Sequence, residues 1–354
     1  MTAPLKGRGA VSNPAGRFES TRVVADPEAC EPPQLRTIVT AQPARHIIAH
    51  NQSPDVGFSQ SINPYRGCEH GCVYCFARPT HAYFNLSPGL DFETRLFFKP
   101  NAAERLRAEL ARPAYRCSTI ALGANTDPYQ PVERRLGVTR AVLEVLDEFE
   151  HPVHVITKGA LVERDVDVLA RMAERRLAAV MISVTSLDDG LKRILEPRAA
   201  SPGARLRAIE TLSAAGVPVG VLVAPVIPCV NDAEIEAILE AVAAAGARTA
   251  SYVLIRLPHE VKDLFREWLA THLPERAAHV MSLIRQSRGG RDYDSRYGTR
   301  MRGTGVYADL IGQRFRTARR RHGLGSERMP ALDTSRFRLP LSMRPQMELF
   351  AQSR

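Results

Sequence analysis

Five short apolar runs separated by helical patterns restrict this chain more than any other feature. Residues 118–122 (STIAL), 152–156 (PVHVI), 179–184 (AVMISV), 217–223 (VPVGVLV) and 251–255 (SYVLI) are rich in Val, Ile and Leu, as strands buried in a parallel sheet are. Around them lie helical patterns at 102–111, 139–149, 163–175, 202–215, 232–245 and 260–271. Asn231 or Asp232 is placed to cap the fifth pattern, and Gly216 to close the fourth in a left-handed turn. A first strand near 59–65 completes six βα units, which wind right-handed. The expected class is α/β, either an open doubly wound sheet or a partial TIM-type barrel. In both, chemistry gathers at the C-terminal ends of the strands.

The 354 residues allow about two ordinary domains or one extended barrel. Residues 1–54 are broken by Pro and show no sustained periodicity, which predicts a poorly ordered extension; 55–275 hold the βα units, and 276–354 form a basic arm and tail. No run approaches the ~20 apolar residues of a membrane span. The start, MTAPLKGRGA, lacks the apolar stretch of a secretory signal, so a cytoplasmic protein is expected. The net charge is +10, and its placement says more than its size. Between Arg285 and Arg338 stand fourteen Arg, no Lys and five acids, a balance of +9 that leaves +1 for all the rest. Basicity confined to one segment suits an anionic partner; a coding bias toward Arg would give the same skew.

Six cysteines (Cys30, Cys68, Cys72, Cys75, Cys117, Cys229) are too few for a disulfide scaffold. Three of them stand within NPYRGCEHGCVYCFARPTH, residues 63–81. Thiolates spaced x3 then x2 can converge from one loop on one metal centre. Three ligands on a [4Fe–4S] cube leave one iron open to a substrate or cofactor, unlike the four-Cys clusters of electron transfer. Gly67 and Gly71 permit the tight wrapping, and Tyr74 offers an aromatic edge beside the open iron. The alternative is structural zinc with His70 or His81 as fourth ligand. Cys30 and Cys117 read as structural.

C-x3-C-x2-C with an aromatic before its last Cys, opening a run of βα units, resembles the radical S-adenosylmethionine (SAM) superfamily. The cysteine segment, GANTDPYQPVE (123–133), ITKG (156–159) and the pair Arg198 and Arg205 are most similar to its branch of spore photoproduct lyase and DNA-repair photolyase-like bacterial proteins. The likeness covers residues 56–271 and extends more loosely into the arm. It implies a partial (β/α)6 barrel, a [4Fe–4S] cluster on Cys68, Cys72 and Cys75, and S-adenosyl-L-methionine chelating the open iron. It also implies an external electron donor; one electron cleaves the sulfonium, and the resulting 5′-deoxyadenosyl radical abstracts hydrogen from substrate.

The resemblance further implies that Tyr74, Thr126, Lys158, Ser183 and Arg198 position the cofactor. Read as residues alone, Thr126 stands in a polar stretch that equally caps a turn, and Lys158 pairs with a carboxylate at the barrel mouth or lies along the surface. Ser183 and Thr185 share one strand face. Arg205 reads as an exposed helix residue, and Val221 and Val223 as core. One departure matters. The lyase has a hydrogen-donating Cys two residues before the hydroxyl residue matched by Thr126, and this chain has Ala124 there. The same lyase reaction is therefore not expected; Cys229, after the fifth strand, and Tyr129 are the candidate donors, with Cys229 alternatively a small apolar residue.

In the arm, residues 285–302 interleave Arg with Gly and Tyr. Residues 306–322 follow a helical pattern with Val306, Leu310, Ile311 and Phe315 on one side and Arg314, Arg316, Arg319, Arg320 and Arg321 on the other. The apolar side is expected to dock and the Arg side to stay wet, which suits a nucleic-acid backbone and stacked bases or an ordinary solvated face. The peptide QMELF, from Gln346 to Phe350, resembles the one by which bacterial repair and replication proteins engage the DNA sliding clamp; packing on its own domain is the alternative. The expectation is a radical SAM enzyme acting on nucleic acid, in lesion repair or base modification. Alternatives are a radical SAM enzyme for a protein or small molecule, and a nucleic-acid-binding module with a structural metal.

Overall fold

The computed structural model describes residues 5–18, 36–325 and 329–343. The strands in chain order are β1 (Ile38–Ala41), β2 (Ile48–His50), β3 (Gln60–Ile62), β4 (Tyr65–Arg66), β5 (Arg95–Phe98), β6 (Ile120–Leu122), β7 (Val153–Thr157), β8 (Ala178–Ser183), β9 (Val219–Val226) and β10 (Thr249–Leu254). β3, β6, β7, β8, β9 and β10 lie side by side in that order, all parallel, and β2 runs antiparallel on the outer edge of β3. Strand order that follows chain order without reversal is the winding of a partial (β/α)6 barrel; a doubly wound sheet reverses at a switch point. Among the described residues no ladder joins β10 to β2.

The apolar runs explain this sheet. Val153, Val155, Val180, Ile182, Val219, Val221 and Val223 are all buried, against Leu143, Leu146, Leu169, Met172, Ile209, Leu212, Ile238 and Leu239 of the crossover helices. Sealing each such side chain contributes about 1.5–3 kcal/mol. The helix Pro202–Ala214 starts where Ser201 accepts from Ala204 N and Pro202 sits at the first position. Gly216 closes it at φ +79°, as expected.

Four expectations change. The cysteine segment does not leave the first barrel strand directly. β3 ends at Ile62, and β4 turns away into a separate small sheet ordered β1-β5-β4. Asn231 is not a helix cap. It is buried, with Oδ1 accepting from Ile227 N and Nδ2 donating to Thr185 O and Pro225 O, so it ties the ends of β8 and β9 together. The lead-in up to residue 54 supplies β1 and β2, and residues 9 and 10 donate backbone N–H groups to the buried Glu93 carboxylate. A short Pro-broken segment shows no periodicity of its own, because its order comes from groups elsewhere in the chain. Lastly, the helix Val306–Arg321 buries Ala308, Ile311, Gly312, Phe315 and Ala318 while Val306 and Leu310 stay exposed. Tyr252 of β10 sets that seam: its ring lies 4.7 Å from Phe315, and the small residues let the helix approach.

The arm is thereby part of the main core, and the helix Pro274–Gln286 runs across the boundary expected at 275. No helix among the described residues is long and apolar enough to cross a membrane. Cys30 and the peptide from Gln346 to Phe350 lie outside the described residues.

Candidate active site at the strand ends

The cysteine loop begins at Gly67, whose φ of +74° and close surroundings admit no side chain: a Cβ would lie 2.6 Å from Leu96 Cδ2 and 2.9 Å from Phe92 O. Cys68 and Cys72 are buried, Cys75 half-buried, and all three are free thiols. Inside the loop sits Arg78, fully buried, with every N–H satisfied. It donates to Cys72 O (2.8 Å), Gly71 O (3.2 Å), Pro88 O (3.0 Å), Gly89 O (2.8 Å) and the equally buried Glu93 (2.5 Å). Glu93 also accepts from Gly9 N (3.0 Å) and Ala10 N (2.8 Å). The loop is thus folded around an ion pair before any metal is considered.

A second set of bonds ties the loop to the barrel. Gln130 accepts from Glu69 N (2.9 Å) and donates to Gly67 O (3.2 Å). His70 Nδ1 lies 3.3 Å from Asp127, which also accepts from Thr157 Oγ1 and Lys158 N, each at 2.7 Å. Arg198 pairs with Glu69 at 3.1 Å, and its backbone N–H donates to His70 O.

Burial raises the pKa of all three thiols; neighbouring anions add to it, Asp127, Cys72 and Cys75 for Cys68, and Glu196 and Cys75 for Cys72. Crowded thiols of this kind become thiolates when a cation compensates them, and release protons as it binds. Among the described residues no three His, Cys, Asp or Glu side chains converge on the point a single ion would take. Of the two histidines beside the loop, His81 has Nε2 bonded to Arg95 O at 2.9 Å and His70 has Nδ1 beside Asp127. A cube with one thiolate per iron asks instead for thiols spread around a cluster, and this donor set suits it.

Beyond the loop the ends of β7 and β8 converge on Glu196, which is 1% exposed. One of its oxygens accepts from the Tyr74 hydroxyl and from Thr185 Oγ1 (2.7 Å) and lies 3.4 Å from Lys158 Nζ; the other meets Arg205. Burial by itself would raise the Glu196 pKa, but Arg205, Lys158 and the two hydroxyls outweigh it and hold the carboxyl well below the usual range. Lys158 also donates to Ala224 O at 3.1 Å, and its Nζ stands 5.8 Å from the Tyr74 ring.

Tyr74 and Lys158 both meet Glu196. The Thr126 hydroxyl donates to Tyr65 O (2.8 Å), which holds the loop entry. Ser183 ends β8 with its carbonyl accepting from Arg205 (3.0 Å), while its hydroxyl has no hydrogen-bond partner among the described residues. Arg205 is not an exposed helix residue but 2% exposed, because the first turn of its helix points at the strand ends and Glu196 needs a counter-charge. Tyr129 is 2% exposed and its hydroxyl donates to Asp165 at 3.0 Å, so it belongs to the core wall, not to an open mouth. Cys229 follows β9 in a left-handed conformation (φ +56°), half-buried against the apolar cluster that holds Cys72 and Tyr74. Arg78, Glu93, Gln130 and Glu196 went unread in the sequence. Arg78 follows Cys75 by three residues and Glu196 precedes Arg198 by two, which is the one local cue they carry.

A family model described as Radical SAM superfamily matches residues 62–242. An uncharacterized protein of Mycobacterium tuberculosis is 39% identical over 231 residues, 65% of this chain and 68% of that one. Another, from Methanocaldococcus jannaschii, is 26% identical over 178 residues, 50% of this chain and 64% of that one. Among solved structures, spore photoproduct lyase complexed with dinucleoside spore photoproduct superposes with a TM-score of 0.56 at 15% identity, over 80% of this chain and 78% of that one. At that identity the likeness is one of fold.

Proposed function

This chain belongs to the radical SAM superfamily, and on that premise we propose an enzyme that holds a [4Fe–4S] cluster on Cys68, Cys72 and Cys75, cleaves S-adenosylmethionine reductively and acts on nucleic acid, repairing or modifying a base. The observation that carries this reading is the three-thiol loop, wrapped on the buried Arg78–Glu93 pair and tied by Asp127 and Gln130 to the C-terminal end of β6 in a sheet of six parallel strands. When bound, the cluster and cofactor supply one-electron cleavage of a sulfonium and a radical able to take hydrogen from a substrate.

The chain's own residues do the rest. Arg78 and Gln130 fix the loop backbone, so the thiols are positioned before the metal arrives. Lys158 is a cation whose present partner, Glu196, is shared with Arg205; it can turn to a cofactor carboxylate while Arg205 keeps Glu196 compensated. Ser183 contributes an unengaged hydroxyl at the end of β8. Tyr74, Leu195, Ile227, Ile255 and Leu257 form an apolar cluster beside the loop that keeps water from a reactive intermediate. Cys229 on that cluster is the thiol available to return hydrogen, and Tyr129, bonded to Asp165, is the lesser candidate.

Nucleic acid is favoured as substrate by the arm. Several of its arginines are tied internally, such as Arg300 to Asp55 and Arg314 to Glu236, but Arg291, Arg316, Arg320 and Arg321 are exposed. Engagement of the sliding clamp by residues 346–350 is part of the same proposal, checked by titrating clamp against a chain lacking 346–354. The central test is anaerobic reconstitution with a strong reductant. Iron-dependent brown colour and 5′-deoxyadenosine release are expected, together with an altered nucleoside when nucleic acid is added and digested for mass spectrometry. Protein that takes up zinc alone and cleaves no cofactor would refute the reading.

A further inference from the structure

Just past the helix Pro274–Gln286 the chain RGGRDYDSR forms a half-open cavity of about 260 Å³ lined by Arg288, Gly289, Arg291, Asp294 and Arg296. Arg288 is 2% exposed, yet its Nε has no hydrogen-bond partner among the described residues. Its other nitrogens are committed to carbonyls: Nη1 to Thr299 O (3.1 Å) and Arg300 O (2.8 Å), Nη2 to Leu254 O (3.0 Å) and Ile255 O (2.7 Å). The guanidinium is therefore fixed to the end of β10, with one donor left over. A buried orphan N–H on a charged group is costly unless a ligand meets it.

The charges around it are unbalanced. Asp294 is neutralised by Arg296, which meets it through Nε (3.0 Å) and Nη2 (2.8 Å). Arg291 is exposed and its side chain has no partner among the described residues, so Arg288 and Arg291 leave the cavity with a balance of +2. Burial, and then the nearby Arg256, lower Arg288 to a pKa of about 10, against the opposing pull of Asp294. Arg256 shows the same deficit, since its own buried Nε is unpartnered. Its Nη2 donates to the hydroxyl of Tyr293 (3.3 Å), which lies in the same RGGRDYDSR segment, and its guanidinium lies 5.5 Å from the ring centre of Phe76, the residue after Cys75.

We propose that this cavity binds a phosphate group, and that it does so to hold one backbone phosphate of the substrate next to the cysteine loop. Guanidinium suits phosphate oxygens, and here Arg288 brings one fixed, unpartnered N–H and Arg291 an unpaired positive charge. The cavity stands on its own residues; that its phosphate belongs to a nucleic-acid substrate rests on the function proposed above.

The test titrates the full-length reconstituted protein with inorganic phosphate and with an oligothymidylate of about 16 nucleotides. Arg291→Glu reverses an exposed, partnerless charge and is expected to keep the wild-type melting temperature and iron content. Arg288→Gln removes the fixed donor, and only its folded fraction counts. Loss of about tenfold or more in oligonucleotide affinity in Arg291→Glu, with a salt slope shallower by about 0.7 or more, supports the site. Inorganic phosphate that binds and competes in the wild type marks a site for any phosphate; binding of the oligonucleotide alone marks one for the polymer backbone. Both probes binding both folded variants as tightly as wild type overturns the proposal. Cofactor cleavage measured in parallel separates the two ideas. Cleavage with unchanged affinities removes the cavity alone, whereas lost affinity without cleavage removes the enzyme reading and leaves the cavity.

Discussion

Around the cysteine loop Arg78 and Arg205 are sealed at 0% and 2% exposure against Glu93 and Glu196, whereas along the C-terminal helix Arg316, Arg320 and Arg321 stand in solvent. Net charge counts them alike, and their physics is opposite. A guanidinium buried against carbonyls and a carboxylate fixes one geometry; removing its partner strands a charge in low dielectric. An exposed guanidinium adds little to stability, because water and salt already screen it, but its field reaches an approaching anion. One region thus uses arginine to shape a site and the other to attract a partner. Arg288 combines both, buried like the first group and incompletely bonded.

The comparison breaks hardest at the thiols that Arg78 positions. Cys72→Ser is expected to abolish the iron-dependent absorbance and 5′-deoxyadenosine release, read after anaerobic reconstitution; full iron content and activity in that variant would mean the loop is not the metal site. Next in size, Arg78→Met is expected to cost about 3–5 kcal/mol by leaving the buried Glu93 carboxylate without its counter-charge, with part of that recovered in the double variant Arg78→Met/Glu93→Gln, which removes the charge and keeps an acceptor for the Gly9 and Ala10 N–H groups. Urea unfolding of both single variants and the double closes the cycle, and a double variant whose cost equals the sum of the two singles would show that the pair is not coupled.

Glu196 sharpens the contrast through pH. Its folded pKa is depressed relative to the ordinary 4.5, so its stabilisation is complete above that value and is lost as pH falls below it. The melting temperature of the wild type should therefore fall more steeply below pH 4.5 than that of Glu196→Gln, and parallel curves would contradict the ion-paired state. At the solvated end, Arg314→Ala breaks a pair with Glu236 that is about half exposed on the acid side and should cost less than about 1 kcal/mol. Smallest of all for stability is the double variant Arg320→Ala/Arg321→Ala. It should melt like the wild type while its oligonucleotide affinity loses salt dependence, by a slope of about 0.7 for each phosphate contact removed.

Much of the fold was legible because parallel strands announce themselves. Each of the five apolar runs became a barrel strand, since a strand covered on both faces is apolar along most of its length. Gly216 was legible for a similar reason, as a left-handed helix end selects glycine within a local window. The docking face of the last helix was not. Hydrophobicity favoured Val306 and Leu310, but the seam was chosen by the Tyr252 ring, more than fifty residues away, and by small residues that fit beneath it. Arg205 failed in the same way: its helical neighbours look solvated, and its burial depends on a carboxylate from another turn of chain.

What the amino-acid order determined by itself was whatever is encoded within a few residues: the spacing of Cys68, Cys72 and Cys75, the apolar periods of the strands, and the concentration of arginine near the end. Which charges are buried, which are paired and which face a cavity was decided only when distant segments met. Burial and pairing are properties of the three-dimensional neighbourhood, and the free energy of a charge depends on that neighbourhood far more than on its own identity.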